Sequence, residues 1–409
     1  MRALDLPWVR SQFPAFVEPS LAGQAFFENA GGSYPCAPVV DRLTRFYRSR
    51  KVQPYGPYAA SRLAGEEMDE ARSRLAALLG VDPDELSFGP STSQNTYVLA
   101  QAFRGLLSEG DAIVVTDQDH EANSGVWRRL AAEGIAVREW RVDPASGSLD
   151  PEALAPLLDG PVRLVCFPHC SNIVGQVNDV AAICAMVHAA GALACVDGVS
   201  YAPHGLPDVG ALGPDIYLFS TYKTYGPHQG AMVVRRALAD RLSNQGHFFN
   251  AGIPEKRLTP AGPDHAQVAA CAGIADYLAA LHAHHGGGAV APRQMTAEVH
   301  DLQRAQETAL LAPLLDWIAG RADVRLVGPR RADGRVPTVS LACPRPGAEM
   351  AAALAPHGIM AGGGHFYARR LVEALGIDPA NGVLRLSFVH YTSPEEVARA
   401  IEALEAVLG

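Results

Sequence analysis

The segment ALACVDGVSYAPHGLPDVGALGPDIYLFSTYK, residues 192–223, contains two short apolar runs, each ending in polar residues. Ala192–Asp197 and Asp215–Ser220 are too short for helices and lack the alternation of a half-buried strand. They read as strands buried on both faces. A helical pattern over 179–190 and the stop at Gly191 precede the first run. Further runs of the same kind are Ala112–Thr116, Ile135–Trp140, Val162–Phe167 and Gly230–Arg235. Helical patterns at 92–107 and 121–133 fall between them, and SRLAGEEMDEARSRLAALLG (61–80) precedes them with Gly80 as its stop. This alternation predicts an α/β fold with a largely parallel sheet and helices on both faces.

HAHHGGGAVAP (282–292) interrupts the pattern. Beyond it the sequence predicts a long helix (294–319), strands near Val324–Val327 and Thr338–Ala342, and a helix ending near His357. A strand at Val383–Phe388 and a final helix at Pro394–Leu408 follow. We therefore expect an N-terminal segment (1–20), a large α/β domain (21–285) and a smaller C-terminal α+β domain (290–409).

Composition narrows the function. Of 409 residues, 34 are Lys or Arg and 43 are Asp or Glu, a net charge of −9, so no basic excess is available to neutralise nucleic-acid phosphates. The seven cysteines show no CxxC spacing, and several sit inside apolar runs, as buried thiols in a reducing compartment do. Asp5, Pro7 and Arg10 stand where a secretory leader needs an apolar stretch, and His188 and Gly191 interrupt the most apolar run, Val180–Val196. A cytoplasmic protein with no membrane segment is expected. His282, His284 and His285 lack neighbouring carboxylates or thiols in sequence and read as a solvated helix end rather than a metal site.

In parallel sheets, ligands bind at the carboxyl ends of the strands. Here those ends read Asp117-Gln118-Asp119-His120, Pro168-His169-Cys170-Ser171-Asn172, Asp197-Gly198 and Ser220-Thr221-Tyr222-Lys223. Each residue alone has an ordinary structural reading, as a cap, a turn or a surface charge. Together they place a His, an Asn, an Asp and a Lys on one rim. Ser91-Thr92-Ser93 opens a helix nearby, where free N–H groups and hydroxyls suit a phosphate.

Asp197-Gly198 followed by Lys223 within FSTYKTYGPHQGAMVV resembles the cofactor core of class V aminotransferases, pyridoxal-phosphate enzymes of fold type I. The likeness is to their cysteine desulfurase-like branch and extends over most of the chain. FFENAGGSYP (26–35), FGPSTSQNT (88–96), DHEANSGVW (119–127), HCSNIVGQVNDV (169–180), GGGHFYA (362–368) and LRLSFVHYTSPEEV (384–397) carry it. The resemblance implies pyridoxal 5'-phosphate as cofactor, an amino-acid substrate and a homodimer. It implies a Schiff base on Lys223, which also shuttles the Cα proton, a pyridine-nitrogen partner in Asp197 and a ring-stacking His120. Thr92, Ser93, Ser220 and Tyr222 would hold the phosphate, and Asn172 and Ser200 would contact the ring hydroxyl. Arg385 would bind the substrate carboxylate, with Asn29 and His365 in the flanking substrate loops.

The departures concern chemistry. Where desulfurases carry a nucleophilic Cys in the C-terminal Gly-His loop, this chain has Phe366 and Tyr367. Neither ring can accept a sulfur atom. Cys36 and Cys170 are the thiols nearest in sequence to the other site loops, and both read as space-filling residues. A turn that sends a Thr to the partner subunit's phosphate in the family reads Ala261-Gly262-Pro263. Tyr55, Tyr58, Phe366 and Tyr367 hint at an aromatic-lined pocket. The expected reaction is β-elimination, such as C–S cleavage of a cysteine or S-conjugated cysteine. Transamination or epimerisation from the same Schiff base is the alternative, and a non-catalytic pyridoxal-phosphate-binding protein is a third reading.

Overall fold

A computed structural model describes residues 3–409. Preceded by β1 (Leu86–Gly89), the apolar runs become β2 (Ala112–Thr116), β3 (Ala136–Trp140), β4 (Val162–Pro168), β5 (Leu193–Asp197), β6 (Ile216–Ser220) and β7 (Gly230–Val234). They form one sheet in the order β1-β7-β6-β5-β4-β2-β3, in which β7 alone runs against the others. The sheet is buried on both faces, which is why its strands read as continuous apolar runs. Val165, Phe167, Val196, Tyr217 and Phe219 enter one core, while Leu164, Cys166, Cys195, Ile216 and Leu218 enter the other. The alternation is the two-residue period of a strand. Each such fully buried side chain contributes about 1.5–3 kcal/mol relative to exposure.

The crossover helices lie where the pattern predicts, as α1 (Thr92–Phe103), α2 (Glu121–Arg128) and α3 (Val180–Ala189). Two end early. The α1 helix stops at Phe103, and the pattern over 121–133 splits into α2 and a 3₁₀ turn closed by Gly134 at φ +82°.

The long helix α4 (Pro292–Ala319) packs against helices of the large unit and against the C-terminal helix. The strands β8 (Arg325–Val327), β9 (Thr338–Ala342), β10 (Gly362–Gly364) and β11 (Val383–Ser387) form an antiparallel sheet ordered β10-β11-β9-β8. The helices α5 (Gly347–Leu354) and α6 (Pro394–Leu408) complete this unit. Residues 25–28 lie with it rather than with the large sheet. Ala25 and Phe26 pair with Ile359 and Met360, Glu28 bridges to Ser387, and Phe27 enters the C-terminal core. Between them, the N-terminal segment reaches both units. Trp8 stacks on His284 at 4.2 Å, while Arg10 forms an ion pair with Glu396 of α6.

Among the described residues no helix is long and apolar enough to cross a membrane. All seven cysteines are free, and six are buried. His282 and His284 bond Glu298 and Asp5, and His285 bonds the Leu281 carbonyl.

Candidate active site

The carboxyl ends of β2, β4, β5 and β6 open onto one cavity of ≈ 510 Å3, solvent-open space included. Every residue expected to hold the cofactor lines it, namely Thr92, Ser93, His120, Asn172, Asp197, Ser200, Ser220, Tyr222 and Lys223. Loops leaving parallel strands at one edge bring them together.

The floor is an anion cradle. Ser91 caps α1 by accepting the Gln94 N–H at 3.2 Å, so the first N–H groups of the helix have no helical acceptor. The Thr92 and Ser220 hydroxyls stand 2.8 Å apart. Gly230 allows this approach. A Cβ there would lie 2.4 Å from the Ser91 carbonyl carbon and 2.5 Å from the Thr92 nitrogen.

Asp197 ends β5 deep in the cavity. Its Oδ1 accepts the Val199 N–H at 2.8 Å. Burial pushes its carboxyl up to about 6, partly offset by that N–H and by the Lys223 ammonium. A carboxylate in this position lacks a strong cationic partner, and a protonated pyridine nitrogen would supply one. Lys223 is buried in the turn after β6. Burial and the Arg385 charge lower its pKa to about 8, against a smaller pull upward from Asp197. Such a lysine is much more often a free amine near neutrality than an ordinary one.

His120 starts α2, and its Nδ1 accepts the Ala122 N–H at 3.1 Å, leaving the hydrogen on Nε2. Burial, with Lys223 and Arg385 nearby, drives its pKa down to about 3, so the ring is neutral. On the opposite wall the Asn172 amide donates to the Phe366 carbonyl at 2.9 Å, while its Oδ1 is buried without a partner. An orphaned buried acceptor facing a cavity fits a ligand hydroxyl. The phosphate cradle, lone carboxylate, orphaned amide oxygen and depressed lysine together fit pyridoxal phosphate.

The C-terminal loop closes over this site. Phe366 and Tyr367 adopt left-handed backbone conformations, φ +47° and +59°. The Tyr367 carbonyl accepts the Glu121 N–H at 2.7 Å, and its ring lies 5.3 Å from His120. Non-glycine residues held this way cost about 1–3 kcal/mol each and cluster at functional sites.

Arg385 is buried on β11, beside the cavity. Its guanidinium bonds the Asn172 carbonyl at 3.1 Å and the Glu28 carboxylate at 2.6 Å. Asn29 and His365 do not line the cavity. The Asn29 side chain accepts the Tyr391 hydroxyl at 2.7 Å, and His365 Nδ1 accepts the Tyr367 N–H at 3.2 Å. Tyr55 and Tyr58 are exposed away from it, with the Tyr55 hydroxyl on Asp69. Cys170 does line the cavity and Cys36 does not; burial pushes both thiols up to about 12.

Sequence reading missed Gln118 and Glu28. Gln118 lines the cavity and joins the strand-end loops by bonds to Gln176, Asn178 and the Gly147 carbonyl. Its position directly after β2 was the available signal. Glu28 acts on Arg385 across 357 positions, and no local pattern announces that.

Comparison with known proteins agrees with this geometry. The family model described as aminotransferase class-V matches residues 25–400. The chain is 36% identical over 415 residues to the aminotransferase-like protein FGM3 of Gibberella zeae, covering 98% of each chain. It is 29% identical to the cysteine desulfurase-like protein ustD of Aspergillus flavus, covering 99% of this chain and 91% of that one. Its fold is similar to the apo structure of a cysteine desulfurase from Thermococcus onnurineus NA1, with TM-score 0.86, 24% identity, and coverage of 100% and 98%. With the family model spanning nearly the whole chain, the protein belongs to the class V aminotransferase family and is a pyridoxal-phosphate-dependent enzyme of fold type I.

Proposed function

We propose that the enzyme carries out β-elimination on a cysteine or S-conjugated cysteine, a C–S lyase reaction without a persulfide step. The observation that carries this reading is the makeup of the closing loop. Tyr367 meets His120, and Phe366 covers Arg385, where a nucleophilic thiol would be needed. The cavity thiol, Cys170, is held protonated by burial.

Bound pyridoxal phosphate supplies a ring that accepts the electron pair left when a bond to Cα breaks. Thr92, Ser93, Ser220 and Tyr222 would hold its phosphate, and Asn172 and Ser200 its ring hydroxyl. Asp197 would keep a proton on the pyridine nitrogen, and neutral His120 would cover the ring face and exclude water. Arg385 grips the substrate carboxylate, orienting the Cα–H bond toward Lys223, whose Nζ takes the proton. A β-thiolate can then depart without attack by a protein sulfur. Cysteine plus one water yields hydrogen sulfide, ammonia and pyruvate.

The test is product analysis with L-cysteine and S-alkyl cysteines. Ammonia and pyruvate should form in equal amounts with no keto-acid acceptor. Dependence on an acceptor would make the enzyme an aminotransferase, and a D-amino acid product an epimerase. Absence of Cα-proton exchange with every amino acid would leave a binding protein.

Lys223 makes a pH prediction. Its neutral amine is the form that would bond the cofactor. Uptake of pyridoxal phosphate by cofactor-free chain should therefore accelerate as pH rises through about 8 and level off above it. Absorbance followed over time across that range checks this, and a flat profile contradicts it.

We also read the active form as a cytoplasmic homodimer. The exposed Phe248, Phe249 and Tyr97 support a subunit interface near residues 246–265.

A further inference from the structure

The surroundings of Arg385 contain a carboxylate of the protein's own. Glu28 Oε1 sits 2.6 Å from Arg385 Nη2. Its position is built. The backbone on either side is tied to β11, since Ser387 donates to the Phe27 carbonyl at 2.7 Å and Asn29 donates to the Ser387 carbonyl at 3.1 Å. Two glycines make room for the carboxylate. A Cβ on Gly31 would stand 2.9 Å from Oε1, and one on Gly362 would stand 2.6 Å from Oε2. Gly362 is the residue paired with Arg385 in the sheet. The Phe366 ring then covers the guanidinium at 3.7 Å.

The seat is incomplete as an ion pair. Glu28 Oε2 and Arg385 Nε are both buried without a hydrogen-bond partner. Glu28 thus holds Arg385 through one oxygen, whereas guanidinium and carboxylate bond best through two. Its side chain is 28% exposed against 3% for Arg385, so the glutamate is the partner with somewhere to go.

We propose that Glu28 is a specificity-determining residue, a resident carboxylate that occupies Arg385 and is displaced by the carboxylate of the incoming amino acid. This rests on the reading of Arg385 as the substrate-carboxylate site. The resident anion spares the buried guanidinium an uncompensated charge between turnovers. It also sets a threshold, because a ligand must outcompete Glu28 and so must offer a well-placed carboxylate together with its other contacts. Weak monocarboxylates thereby bind less tightly than the guanidinium alone would hold them.

The experiment is calorimetric titration of the holoenzyme with propionate, alongside the KM for the amino acid. Glu28→Gln removes the competing charge, so propionate should bind about tenfold more tightly and KM should fall. A merely structural role for Glu28 would weaken binding instead. Arg385→Lys should abolish propionate binding. If Arg385→Lys abolishes binding while Glu28→Gln leaves it unchanged or weaker, displacement is overturned and the Arg385 reading stands. If Arg385→Lys binds propionate like the wild type, the Arg385 reading falls with the proposal. Glu28→Asp, one methylene shorter, should reach Arg385 less well and give an intermediate gain, which keeps the test available if the Gln variant does not fold.

Discussion

Lys223→Ala is expected to lower kcat by about 10³-fold or more, since in the proposed reaction it removes both the amine that would bond the cofactor and the base that would move the Cα proton. No neighbour can take over. His120 is the only other nitrogen base on the cavity wall among the described residues. Its Nδ1 is committed to the Ala122 N–H, and its pKa near 3 makes it a poor proton acceptor. Asp197 lies on the same wall but is assigned to the pyridine nitrogen. Lys223→Arg should be nearly as inactive, because a guanidinium stays protonated and cannot bond an aldehyde. Cα-proton exchange in deuterated water, read by NMR, isolates the proton step from product release. Exchange within tenfold of the wild type would mean that another group moves the proton.

The second large effect is on stability. Glu307 on α4 is fully buried. One of its oxygens, Oε2, lies 3.0 Å from His204 Nδ1 and 3.0 Å from Arg304 Nη1. Arg304 in turn donates to the Arg335 carbonyl at 2.7 Å. His204 lies in the turn that follows Ser200, so this cluster fastens the cofactor-side loop to the helix packed against both units. Glu307→Ala strands a buried histidine, removes the partner of the partly exposed Arg304 and leaves a cavity, at a cost of about 3 kcal/mol. Urea unfolding followed by circular dichroism measures it, and a loss under about 1 kcal/mol would contradict the account. Burial alone would raise the Glu307 pKa, but His204 and Arg304 outweigh it and hold it below the ordinary value. The charged form is therefore the stabilising one. Its contribution is present above the ordinary glutamate range and lost as pH falls through the folded pKa, so wild type and variant should converge in acid.

Local pattern carried much of this protein. The runs 112–116, 162–168, 193–197 and 216–220 are legible as strands because burial on both faces demands continuous apolar sequence over a few residues. The cavity-lining residues followed, because they sit at or just beyond strand ends and parallel strands deliver their ends to one edge. Gly80 and Gly191 marked helix ends for an equally local reason, with φ of +69° and +76°.

Contacts between distant segments belonged to the tertiary structure alone. Glu28 meets Arg385, and Asn172 meets the Phe366 carbonyl, across 357 and 194 positions. Ala25 and Phe26 pair with Ile359 and Met360, and Glu28 bridges to Ser387, although most of the chain separates the partners, because an edge strand pairs with whatever edge the packing presents to it. The left-handed turn at Phe366 and Tyr367 has no Gly or Asn to signal it and is tied down by contacts with distant residues, Asn172 and Glu121 among them. Sequence period determined which residues form strands and which chemistry stands at their ends. Three-dimensional closure decided which carboxylate holds the arginine and what lies over the lysine, because those choices depend on distances that no local spacing encodes.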